Sequence, residues 1–63
     1  MKELTPTEKL KQAIKIANLT PAQRHTMLAF IDMGATVDPD MINIIWFNGH
    51  CIRVLEDGEV DEL

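Results

Sequence analysis

Apolar and polar residues change rhythm near the middle of the chain. In the first half they recur at helical spacing. Leu10, Ala13, Ile14 and Ala17 fall at i, i+3, i+4 and i+7, one stripe of a helix. Lys11 and Lys15 lie on the opposite side, with Glu8 one turn ahead of Lys11. The start of this helix is written in Thr5-Pro6-Thr7-Glu8. Thr5 is a hydroxyl cap, Pro6 takes the first helical position, and Glu8 can reach back to the Thr5 amide. The pattern predicts a helix over about 6–18. Leu19-Thr20-Pro21-Ala22-Gln23 uses the same recipe again and predicts a second helix over about 21–33, closed by Gly34 in the left-handed region. Two uses of one common helix start are not a solenoid, whose repeats are longer and more numerous. Met27, Leu28, Phe30, Ile31 and Met33 make the second helix apolar on more than one face, as suits a central core helix. The short connection makes the two an antiparallel or angled pair.

After Gly34 the pattern favours strands. Ile42, Ile44, Ile45, Trp46, Phe47, Ile52 and Val54 are β-branched or aromatic. Asn48-Gly49 among them is a strong hairpin signal, because both residues tolerate the positive φ of a type I′ turn. The expected strands are about 41–47 and 50–56, with a second turn at Asp57-Gly58 and a short edge strand over Glu59–Asp61. A rival reading starts a third helix at Asp38-Pro39-Asp40 and ends it at Gly49, giving the element order of a winged helix. Short apolar runs do not separate the two by periodicity alone. The preferred fold class is α+β: a two-helix hairpin packed on an antiparallel β-hairpin. The alternative is a winged-helix-like three-helix domain with a small wing.

A two-residue loop at Asn48-Gly49 sets Phe47 opposite His50, Trp46 opposite Cys51, Ile45 opposite Ile52 and Ile44 opposite Arg53. One face then carries Ile45, Phe47, Ile52 and Val54. The other carries Ile42, Ile44, Trp46, Cys51 and Leu55, interrupted by Arg53. Two short helices can cover one face. The second is expected to be exposed, and exposed apolar patches mark interfaces. Tryptophan and arginine are also enriched among binding hot spots. Ile42, Ile44, Trp46, Arg53 and Leu55 are therefore the candidate partner-binding residues, for another protein or a second copy of this chain.

Size makes this expectation matter. A chain of 63 residues is one small domain, and such domains bury only about 60% of the surface of the unfolded chain. They commonly recruit disulfides, a metal or a partner. Cys51 is the only cysteine, which excludes an internal disulfide and suits a reducing, cytoplasmic setting. His25, His50 and Cys51 do not repeat at zinc-site spacing, so no metal and no cofactor is expected. The N-terminus lacks a signal-peptide core, and Ile44–Phe47 is far too short to span a bilayer.

Charge is lopsided. Residues 1–31 carry a net +3 and residues 32–63 a net −7, for a total of −4. Glu56, Asp57, Glu59, Asp61 and Glu62 make the end of the chain, 56–63, an acidic tail. Its plain reading is a solvated end. Its functional reading is an electrostatic docking element, or a mimic of nucleic acid. Lys11 and Lys15, with Lys9 and Arg24 nearby, form the only basic strip. Leu19-Thr20-Pro21-Ala22-Gln23 resembles the helix opening of some MarR-type regulators over those five residues. The third helix of the winged-helix reading holds no lysine or arginine, so nucleic acid is a disfavoured partner. Catalysis is not expected. His50 and Cys51 are adjacent, so on a strand they point to opposite faces and cannot form a nucleophile–base pair. No small-molecule substrate is expected in so small a chain. The sequence thus predicts a protein–protein interaction module, a regulator or inhibitor of a larger protein. Its size and style fit the accessory proteins of phages and mobile elements. The alternatives are a winged-helix-like DNA-binding regulator and an acidic nucleic-acid mimic.

Overall fold

The computed structural model describes residues 3–63. Its elements are α1 (Pro6–Ile16), α2 (Pro21–Asp32), β1 (Thr36–Val37), β2 (Ile44–Phe47), β3 (His50–Val54) and β4 (Val60–Glu62). Both helix starts are complete capping boxes. The Glu8 amide donates to Thr5 Oγ1 at 3.2 Å and the Thr5 amide to Glu8 Oε1 at 3.1 Å. The Gln23 amide donates to Thr20 Oγ1 at 3.1 Å and the Thr20 amide to Gln23 Oε1 at 3.0 Å. Helix α1 stops two residues earlier than its apolar pattern suggests. Arg24, in the first turn of α2, donates to the Ile14, Ala17 and Leu19 carbonyls at 3.3, 3.0 and 3.2 Å. One guanidinium thus ties the end of α1 and the linker after it to the first turn of α2.

The four strands form one antiparallel meander in the order β1-β2-β3-β4. The central hairpin has the expected register: Ile44 opposite Arg53, Ile45 opposite Ile52, Trp46 opposite Cys51 and Phe47 opposite His50. Asn48 and Gly49 take positive φ of 51° and 79° at its turn. The sheet exceeds the predicted hairpin at both sides. Thr36–Val37 pairs with Trp46 and Ile45, a strand too short for its alternation to register in the sequence. The acidic stretch expected as a tail is folded. Residues 55–58 turn, and β4 pairs with β3 one residue later than the predicted edge strand. The β3 edge, the Arg53–Asp61 ion pair and the His50–Glu62 contact give this segment backbone and side-chain partners that composition does not reveal.

The third helix of the winged-helix reading is absent, and β2 begins at Ile44 rather than at 41. Asp38 does cap the segment as a helix start would: its Oδ2 accepts the Asp40 and Met41 amides at 2.9 and 3.0 Å. The Ile44 amide then closes a turn on the Met41 carbonyl at 3.1 Å, and the Asp38 amide pairs with the Ile44 carbonyl at 2.8 Å. The chain is drawn into the sheet, where Ile45 gains a buried site that a surface helix would not supply.

Both helices lie on one face of the sheet. Ile14, Met27, Ile31, Ala35, Ile45 and Val54 form the buried core, with Leu10, Leu19, Leu28, Phe30, Val37, Phe47 and Ile52 packed around it. Phe30 and Phe47 meet edge to face at 5.7 Å. Ala13, predicted on the buried stripe of α1, is exposed, while Ile14 is fully buried and Leu10 and Ala17 are half-buried. Gln23 is buried and has a second role beyond its cap: its Nε2 donates to the Val54 carbonyl at 3.1 Å, tying α2 to the end of β3. The β3–β4 turn is held to α2 by Thr20 Oγ1 on the Glu56 carbonyl (2.6 Å) and Thr26 Oγ1 on the Gly58 carbonyl (2.9 Å).

Candidate functional site: the open face of the sheet

The register places two rows of side chains on the face away from the helices. One runs Thr36, Trp46, Cys51 and on to Leu63, whose amide donates to the Cys51 carbonyl at 2.9 Å. The next runs Asp38, Ile44, Arg53 and Asp61. Neither α1 nor α2 covers them. Trp46 is 44% exposed and Leu63 is 60% exposed, while Ile44, Cys51 and Arg53 are half-buried among their neighbours. Ile45, one residue from Trp46 on the same strand, is fully buried. The alternation of β2 therefore sorts one side chain into the core and the next into solvent.

Trp46 is held in place. Its Nε1 donates to Asp38 Oδ1 at 3.2 Å, and the other oxygen of that carboxylate is fixed by the two turn amides. The indole N–H and the turn amides hold the Asp38 carboxyl below its ordinary value of 3.8. Depression in the folded state means that Asp38 contributes stability above 3.8, lost as the pH falls through its lowered value. On acid titration, the midpoint of the Trp46 fluorescence change should lie below 3.8. Asp38→Asn should remove that step. A step at or above the ordinary carboxylate value in wild type would refute the assignment.

Beside the indole, Arg53 Nη2 donates to Asp61 Oδ2 at 2.7 Å across β3 and β4, while its Nε is enclosed with no partner. On the opposite face, His50 Nδ1 meets Glu62 Oε2 at 2.6 Å. Two exposed pairs thus clamp β4 from its two sides, each a modest contribution in water. His50 and Cys51 lie on opposite faces, as their adjacency on β3 requires.

Of the five predicted partner-binding residues, the sheet brings Ile44, Trp46 and Arg53 together. Leu55 follows β3 and is half-buried. Ile42 is displaced from the expected strand. It sits in the turn before β2, 39% exposed, and is not one of the alternating sheet positions. Thr36, Asp38 and Leu63 join the face without having been singled out. Their signal is the partner strand, and β1 and β4 carry little of it in sequence.

The predicted electrostatic residues divide. Glu56 and Asp57 are exposed in the β3–β4 turn, where Asp57 Oδ1 accepts the Glu59 amide at 2.9 Å. Asp61 and Glu62 are in the two clamps, and Glu59 is exposed beside β4. The basic strip is engaged in part, while Lys9 and Lys15 are exposed. Lys11 pairs with Asp32, and Arg24 caps α1. Lys11 and Lys15 line a surface hollow of about 290 Å³ with Leu4, Glu8 and Gln12. The Glu8 carboxyl there is held below its ordinary 4.5, first by the Thr5 amide and then by the Thr5 hydroxyl, so it is committed to the helix cap. Among the described residues no helix is long and apolar enough to cross a membrane, and no three His, Cys, Asp or Glu side chains converge as metal ligands. Comparison with protein-family models, with curated proteins and with solved structures gives no match, so function rests on this geometry alone.

Proposed function

We propose that the chain is a protein–protein interaction module that works through the open face of its sheet, as a regulator or inhibitor of a larger protein. The observation that carries the reading is Trp46, outward on an uncovered sheet face with its N–H tied to a fixed carboxylate. A large side chain whose conformation is already set loses little entropy on binding. Tryptophan in such a setting, with apolar neighbours and an arginine close by, is the composition of an interface centre. The DNA-binding alternative has less to rest on, because the segment read as a third helix is a turn and a strand and Arg24 of the basic strip caps α1. The mimic alternative is weakened because Asp38, Asp57, Asp61 and Glu62 are each engaged in internal contacts.

Tagged wild-type chain should retain a protein from the lysate of its native host that Trp46→Ala fails to retain. The two should give the same circular dichroism spectrum, because Trp46 is outside the core. Capture of the same proteins by both forms would sink the reading.

A further inference from the structure

We propose that the open face receives a basic segment of another protein, with a partner arginine or lysine laid on the Trp46 indole and its charge answered by Asp38. This rests on the interaction reading above and adds the chemistry of the partner.

The edge of the indole is occupied and its ring face is what remains. Trp46 Nε1 is used by Asp38, so the group left for a partner is the π surface, whose negative quadrupole attracts cations. Asp38 stands at the rim of that surface. Each carboxylate oxygen can accept two hydrogen bonds. Oδ2 takes two turn amides and Oδ1 takes only the indole N–H, which leaves Oδ1 one further acceptor position. Arg53 does not cancel this charge, because Asp61 already answers it at 2.7 Å. Ile44 and Leu63 give the methylene stem of a long cationic side chain something apolar to lie on.

Charge also decides between occupants. The rows on this face hold Asp38 and Asp61 against Arg53, with Glu59 at the next alternating position, in a chain of net charge −4. A second copy placed face to face would bring these carboxylates together, and like-charge juxtaposition opposes association. Phosphate backbones meet the same repulsion. A basic segment meets attraction that weakens with salt.

Trp46 is the only tryptophan and the chain has no tyrosine, so fluorescence reports on this face directly. The probes are an acetylated, amidated peptide of alternating leucine and arginine, and the same peptide with neutral citrulline at every arginine. The arginine peptide should alter Trp46 emission and move the amide resonances of Ile44, Trp46 and Arg53. Replacing arginine by citrulline, or Asp38 by asparagine, should each weaken binding about three- to tenfold, the worth of one exposed cation–π contact and one exposed charge pair. Asparagine can still accept the turn amides through its one oxygen, so circular dichroism should be unchanged. Its NH2 cannot accept the indole N–H, so Asp38→Asn removes the charge and the indole anchor together, and the citrulline peptide is what isolates the charge. Asp32→Asn, which removes a carboxylate on α2, should leave the affinity as it was.

Equal binding of the citrulline peptide to the same face would overturn the cationic partner yet leave the docking face standing. Equal weakening by Asp32→Asn would overturn it in favour of net charge alone. A dimer by light scattering, with the same amides moving on dilution, would give the face to a second copy and overturn it. So would an oligonucleotide that moves these amides when the arginine peptide does not. Resonances that move only on the helices would overturn the inference and count against the docking face as well.

Discussion

Ile45→Ala should leave the domain at the edge of unfolding at room temperature. Ile45 is fully buried on β2 and packs with Ile14, Met27, Ile31, Ala35 and Val54. Truncating such a residue costs about 2–5 kcal/mol, from lost transfer energy and the cavity left behind. Domains have about 0.05–0.15 kcal/mol of stability per residue. For 63 residues that is only about 3–9 kcal/mol in total. The midpoint of thermal unfolding should fall by roughly 10–30 °C. Trp46→Ala removes a larger side chain from the next position but from the solvent side, so its effect on stability should be about 1 kcal/mol or less. Thermal melts of the two variants in parallel test the sorting of β2. A larger loss for Trp46→Ala than for Ile45→Ala would mean that the open face is core.

The second large effect is expected at Gly58. Its φ is +88°, and a Cβ there would lie 3.2 Å from Ala22 Cβ, the Ala22 carbonyl oxygen and Thr26 Oγ1. Gly58→Ala therefore combines two costs. A side chain in the left-handed region costs about 1–3 kcal/mol, and crowding against the backbone of α2 adds about 1 kcal/mol or more. Relief by moving the turn away would stretch the Thr26 and Thr20 hydrogen bonds that hold it. Gly34 is the internal control. Its φ is +102° but nothing lies within 4 Å of its Cβ position, so Gly34→Ala should show the conformational cost alone. Urea denaturation should place Gly58→Ala below Gly34→Ala by about 1 kcal/mol or more. Equal midpoints would show that the β3–β4 turn is not tightly docked on α2.

The two predictions bear on the same functional point. The helices and the β3–β4 turn hold one side of the sheet, and the core residues of β2 and β3 are spent there. What remains on the other side is set by strand alternation rather than by packing. The contacts from Arg53 to Asp61 and from His50 to Glu62 add to the backbone pairing of β4 on β3, so the face is four strands wide where the expectation was a hairpin with a short edge strand.

The chain's local chemistry was enough for several features. Thr-Pro-x-Glu and Thr-Pro-x-Gln specify helix starts because cap, proline and reciprocal acceptor act within one turn. Asn48-Gly49 specifies the hairpin turn, and its two-residue loop makes the register from Ile44–Arg53 to Phe47–His50 follow by counting. The division of β2 and β3 into a core face and an open face follows from that register. Other features depend on partners distant in sequence. Asp38-Pro39-Asp40 has the same capping chemistry in a helix start and in a turn, and only the pull of Ile45 into the core selects the turn. Arg24 reads as a surface base until the end of α1 is brought beside it. The acidic stretch shows a turn and a short edge strand in sequence, but its contacts, Asp61 with Arg53 and Glu62 with His50, exist only once it is laid along β3. Trp46 was legible as an outward tryptophan, but its anchoring by Asp38 was not, because that contact needs β1, a strand of two residues that exists only by pairing. Local hydrogen bonds and alternation are properties of neighbouring residues and can be read in order along the chain. Burial and cross-strand charge pairing are properties of the assembled layers, and only the tertiary structure decided them.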